Sequence, residues 1–79
     1  MTSFKIRLVT IEDVRMFVTA ANMQICDADV VSGRYRIDAK SLLGIFSLDL
    51  SQPVEVQVHG THLDAENFKN AIKSIVVEE

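Results

Sequence analysis

Apolar and polar residues alternate at the start of the chain, where Phe4, Ile6 and Leu8 are separated by Lys5 and Arg7. A period of two predicts a half-buried strand over Phe4–Val9. The period then changes. Val14, Phe17, Val18 and Ala21 fall at i, i+3, i+4 and i+7, one stripe of an amphipathic helix over Ile11–Met23. Thr10 with an acid at position 13 has the pattern of a capping box, with Asp in place of the longer Glu. Cys26, Ala28 and Val30 alternate with Asp27, Asp29 and Val31 in a second strand. Ser32-Gly33 is a two-residue turn signal, and Arg34–Ile37 returns as a third strand with Tyr35 and Ile37 on the inner face. Lys40–Leu48 is too apolar for a loop and reads as a short helix capped by Ser41. Pro53 can open a strand but cannot sit inside one. Val54, Val56 and Val58, alternating with Glu55 and Gln57, therefore form the fourth strand, which Gly60 ends. Thr61 or Asp64 caps a last helix whose stripe is Phe68, Ala71, Ile72 and Ile75.

The predicted order is β-α-β-β-α-β-α. Each strand has one apolar and one polar face, so the sheet is expected to be covered on one side only. That is an α+β, open-faced sandwich with three helices on one face of a four-stranded antiparallel sheet. Lys5, Arg7, Asp27, Asp29, Arg34, Arg36 and Glu55 are expected on the bare face, where mixed signs favour cross-strand pairing. With 79 residues there is room for one domain, and 48% hydrophobic residues suffice for a core. A net charge of −3 argues against a general nucleic-acid binder, and no apolar run is long enough to predict a transmembrane helix. A single cysteine, Cys26, excludes an internal disulfide, suits a reducing compartment and is expected to be a small core residue.

The element order, with Lys40-Ser41-Leu42-Leu43-Gly44-Ile45-Phe46-Ser47-Leu48 at its centre, resembles HPr. HPr is the histidine-containing phosphocarrier of the bacterial sugar phosphotransferase system. That family carries a K-S-aliphatic-apolar-G-aliphatic-x-S-L stretch at this place. A turn, a valine-rich strand ending in Gly and an acidic-started helix follow it, as Ser51-Gln52-Pro53, Val54–Gly60 and Asp64–Val76 do here. The resemblance spans about Gly33 to Val76. It implies an HPr-like fold over residues 1–79 and a bacterial cytoplasmic location.

In the family, the loop before helix 1 carries Gly-aliphatic-His-x-Arg-Pro, and its histidine accepts a phosphoryl group from enzyme I. Aligning helix 1 without gaps puts Thr10 at the histidine, Glu12 at the arginine and Asp13 at the proline. Two carboxylates in the first turn suit the helix dipole and oppose a phosphoryl dianion. The expectation is a non-enzymatic member that has lost phosphohistidine carriage and works as a protein-binding or regulatory module. Two other readings compete with it: a phosphocarrier using a non-standard residue, and a small-ligand module of the ACT type, which lacks a central helix. Ser41 coincides with the family's regulatory phosphorylation site. Leu42, Leu43 and Phe46, with Met16 from helix 1, are expected to form a partner-binding patch, while Ile45 and Leu48 point inward. The expected partners are phosphotransferase components or a transcription regulator, with no nucleic acid and no membrane. His59 and His62 read as loop-surface residues, so no metal or cofactor is expected.

Overall fold

The computed structural model describes residues 2–77. β1 (Thr2–Ile6), α1 (Ile11–Asn22), β2 (Asp27–Ser32), β3 (Tyr35–Asp38), α2 (Leu42–Phe46), β4 (Val54–His59) and α3 (His62–Ala71) follow one another, and a 3-10 turn covers Lys73–Ile75. The strands form one antiparallel sheet in the order β1-β4-β2-β3. Ile6, Ala28, Val30, Val54, Val56 and Val58 are buried beneath the helices, with Phe17 from α1, Ile45 from α2 and Phe68 from α3. Phe68 stacks on Phe17 at 5.6 Å between ring centroids and meets Phe4 edge-on at 6.2 Å. These are favourable aromatic geometries at the centre of the core. The genuine helix over residues 42–46 counts against the ACT-type reading.

Four expectations need correction. β1 stops at Ile6 rather than Val9, because its partner β4 opens only at Val54, after Pro53. Leu8 is still buried, but Val9 is 74% exposed. The first hairpin turn is Gly33-Arg34 rather than Ser32-Gly33, since Ser32 already pairs with Tyr35. Gly33 has φ +58°, and among the described residues no other has positive φ. A positive φ at the first central position alone is the φ pattern of a type II′ hairpin turn, which selects Gly there. Ile37 lies opposite the buried Val30 and packs against the core, on the inner face as the alternation predicts, but Tyr35 is exposed rather than covered. Both lie on the edge strand, and Tyr35 sits beside the turn at its far tip. Finally, α3 ends at Ala71, which is exposed, and the following residues leave the helix to reach β1. Arg7 N–H donates to Ile75 O and Val77 N–H to Lys5 O, both at 2.9 Å. The chain end thus covers the β1 edge, which a longer helix could not do.

Candidate functional site

Thr10 ends the β1–α1 loop in extended geometry and caps α1. Its Oγ1 accepts the Asp13 N–H at 3.1 Å. The Asp13 carboxylate folds back and accepts the N–H groups of Thr10 and Val9, each at 3.0 Å. Those two amides, Thr10's first, hold the Asp13 carboxyl below its ordinary range. A helix start of this kind attracts anions. Here the anion is the chain's own carboxylate. Glu12, next to it, is solvent-exposed and only loosely paired with Arg15 at 4.0 Å.

α2 approaches this loop from the other side of an open cleft of about 420 Å³, lined by Arg7, Val9, Thr10, Ile11, Phe46 and Leu50 among others. Ser41 is the N-cap of α2, and its Oγ accepts the Gly44 N–H at 3.2 Å. Ile45 and Leu48 turn into the core. A five-residue helix cannot bury more than one face. Leu43 is therefore left 82% exposed, Phe46 43% and Leu42 38%. Phe46 joins Thr10 in the cleft. Met16 is not with them. It lines a separate groove of about 400 Å³ with Met23 and Ala71, between α1 and α3. Sequence reasoning missed Val9 and Ile11, which are exposed and extend the apolar surface of α2 across the cleft. Their signal was present: two apolar residues flank a cap, and the shortened strand cannot shelter them.

The two histidines lie elsewhere. β1 and β4 are antiparallel, with Thr2 opposite Val58 and Ile6 opposite Val54. His59 is therefore at the far end of a strand of about 17 Å from the end where α1 begins. On the bare face its Nε2 meets Asp29 Oδ2 at 2.7 Å. Arg36 Nη1 donates to the same oxygen at 3.1 Å and to Gln57 Oε1 at 2.7 Å. The His59 hydrogen bond, followed by Arg36, lowers the Asp29 carboxyl below its ordinary range. His62 is exposed in the first turn of α3, 3.9 Å from Glu66. Among the described residues no three His, Cys, Asp or Glu side chains form a metal-sized group. Cys26 is half-buried and packs against the core edge beside Gly60.

The profile of the PTS-HPr family, described as the PTS HPr component phosphorylation site, matches residues 13–78. The matched span begins after Thr10 and Glu12. No curated protein matches the sequence. Among solved structures, the fold is similar to the crystal structure of HPr-C-His from Thermoanaerobacter tengcongensis. That similarity has a TM-score of 0.76 and 23% identity, and covers 94% of this chain and 93% of that one. At that identity the likeness is one of fold.

Proposed function

Because this chain belongs to the HPr family of the sugar phosphotransferase system, we propose that it keeps the family's protein-docking role without phosphohistidine carriage. In this reading it is a cytoplasmic binding or regulatory module, not an enzyme, and it needs no cofactor. Its partners are phosphotransferase components or a transcription regulator. The observation that carries the reading is the Asp13 carboxylate on the amides of Val9 and Thr10, where an incoming phosphoryl group would need donors. Glu12 adds a second charge of the wrong sign within the same turn. No histidine stands in the described β1–α1 loop. The docking surface is the exposed apolar set Leu42, Leu43 and Phe46, continued by Val9 and Ile11. Met16, on the α1–α3 groove, belongs to a secondary contact at most. Ser41 is the regulatory site in this reading. Its place at an N-cap means that a phosphate there adds charge beside helix-start amides and alters the face that Leu42 and Leu43 present.

The test is incubation with phosphoenolpyruvate and enzyme I, followed by intact-mass measurement. An unchanged mass is expected, and a stoichiometric gain of about 80 Da, one phosphoryl group, would sink the reading. One observation favours the second reading, a carrier with a non-standard residue: Arg7 lines the same cleft as the Thr10 hydroxyl. If the adduct forms and Thr10→Val abolishes it, Thr10 is the acceptor.

A further inference from the structure

We propose that the partner of this docking face presents an apolar side chain flanked by lysine or arginine, rather than by acids. The inference rests on the docking reading above and adds the chemistry of the occupant. The apolar part is given by Val9, Ile11, Leu43 and Phe46, each at least 43% exposed. Scattered exposed apolar residues need no explanation, but these converge on one cleft and one helix beside it. The charge around them is set by Arg7 in the cleft, Asp13 beside Arg7 and Val9 in the neighbouring depression, and Asp49 next to Leu50 and Ser51, with Glu12 and Arg15 on the first turns of α1, where they turn toward the α1–α3 groove.

The two signs are not equally free. The partners of Asp13 and Asp49 are neutral groups. Asp13 accepts two backbone N–H groups, and Asp49 Oδ1 accepts the Ser51 N–H at 3.0 Å and its hydroxyl at 2.6 Å. Hydrogen bonds from neutral donors fix a carboxylate in place and leave its charge uncancelled. Among the described residues neither carboxylate has a cation within ion-pair distance. Glu12 has one, Arg15, but at 4.0 Å with the two side chains 83% and 66% exposed, a pair that a partner's cation displaces at little cost. Arg7 is the remaining cation, and it lines the depression beside Asp13 as well as the cleft. The rim is therefore net negative and held in a fixed arrangement, on a chain whose overall charge is −3. Such a field speeds the approach of a cationic surface and opposes an acidic one.

The experiment uses two synthetic peptides with one shared apolar core, flanked by lysines in one and by glutamates in the other. Each is titrated into the isotope-labelled full chain at low salt and followed by NMR. The lysine peptide is expected to move the amides of Val9, Ile11, Leu43 and Phe46 and to bind at least about tenfold more tightly than the glutamate peptide. Added salt should shrink that ratio. The double variant Glu12→Lys/Asp49→Asn should remove it. Asparagine keeps the oxygen that accepts from Ser51, and Glu12 holds no backbone group, so the fold is preserved. Equal binding of both peptides at those amides overturns the partner chemistry and leaves the docking reading standing. A preference that survives in the double variant overturns it as well. Movement of none of those amides by either peptide removes the docking reading itself, and this inference with it.

Discussion

Asp13 has more effect than its half-buried position at the surface suggests. One carboxylate satisfies two amides at the start of α1 and places a fixed negative charge at a helix start, where an outside anion would otherwise find donors. Asp13→Ala should cost about 1 kcal/mol, the usual scale for a lost helix cap, as read from urea denaturation at neutral pH. The pH dependence has a definite sign. The folded-state pKa is depressed, so this contribution is fully present above the ordinary value of 3.8 and is lost as pH falls through the lower folded value. Asp13→Asn should flatten that acid limb of the stability curve. Asp29 obeys the same rule for another reason, since its carboxyl is lowered first by the His59 hydrogen bond and then by Arg36. His59→Ala should therefore move the Asp29 titration upward in a carboxyl-detected NMR experiment, while leaving Asp13 where it is.

α2 is the element in which sequence and packing constrain each other most tightly. Its five residues must carry a cap, one inward face and a close approach to the edge strand β3. Gly44 allows that approach. A Cβ built there would lie 2.5 Å from Ile37 Cγ2 and 3.0 Å from Ser41 Oγ. Ile37 is β-branched and stiff, so the clash is relieved mainly by moving the helix. Alanine is the better helix former by about 1 kcal/mol, yet Gly44→Ala should be net destabilising by about 1–2 kcal/mol because overpacking outweighs propensity. Thermal unfolding of the purified variant measures it. Ser41→Ala should cost about 1 kcal/mol through the lost Gly44 contact, whatever further role the hydroxyl has. The C-terminal segment makes a related point. The stripe Phe68, Ala71, Ile72 and Ile75 fits a helix, but the unpaired N–H and C=O groups of β1 attract the chain end into strand-like pairing after Ile75.

At the scale of the whole molecule, a small core leaves little margin. Phe68 is fully buried and touches both Phe4 and Phe17, joining α3, β1 and α1. Phe68→Ala should cost about 3–5 kcal/mol, a large part of the roughly 5–15 kcal/mol that holds a domain folded. Loss of the cooperative transition at 37 °C, seen by circular dichroism, is the expected result. The bare sheet face should be far more tolerant, since its Asp29, Arg36, Gln57 and His59 network is partly exposed and screened by water. The molecule is thus divided into a covered face whose volume is fixed, a polar face that is permissive, and an apolar end beside α1 and α2 that the described residues leave exposed.

Local periodicity was enough to specify the element order, the inward residues of β2 and β4, the caps Thr10 and Ser41, and the outward turn of Leu43 and Phe46. Each of these follows from a side-chain spacing or a cap chemistry that acts within a few residues. Periodicity did not determine where β1 stops, which residue pair turns the first hairpin, whether Tyr35 is covered, or on which side of α1 Met16 lies. Those depend on partners distant along the chain: where Pro53 lets β4 begin, how far the helices extend over the edge strand, and which neighbour α1 meets on each flank. The place of Asp13 belongs to both levels. Its spacing from Thr10 announced a cap, but only the folded loop brought the Val9 amide to the same oxygen and so filled the helix start with the chain's own negative charge.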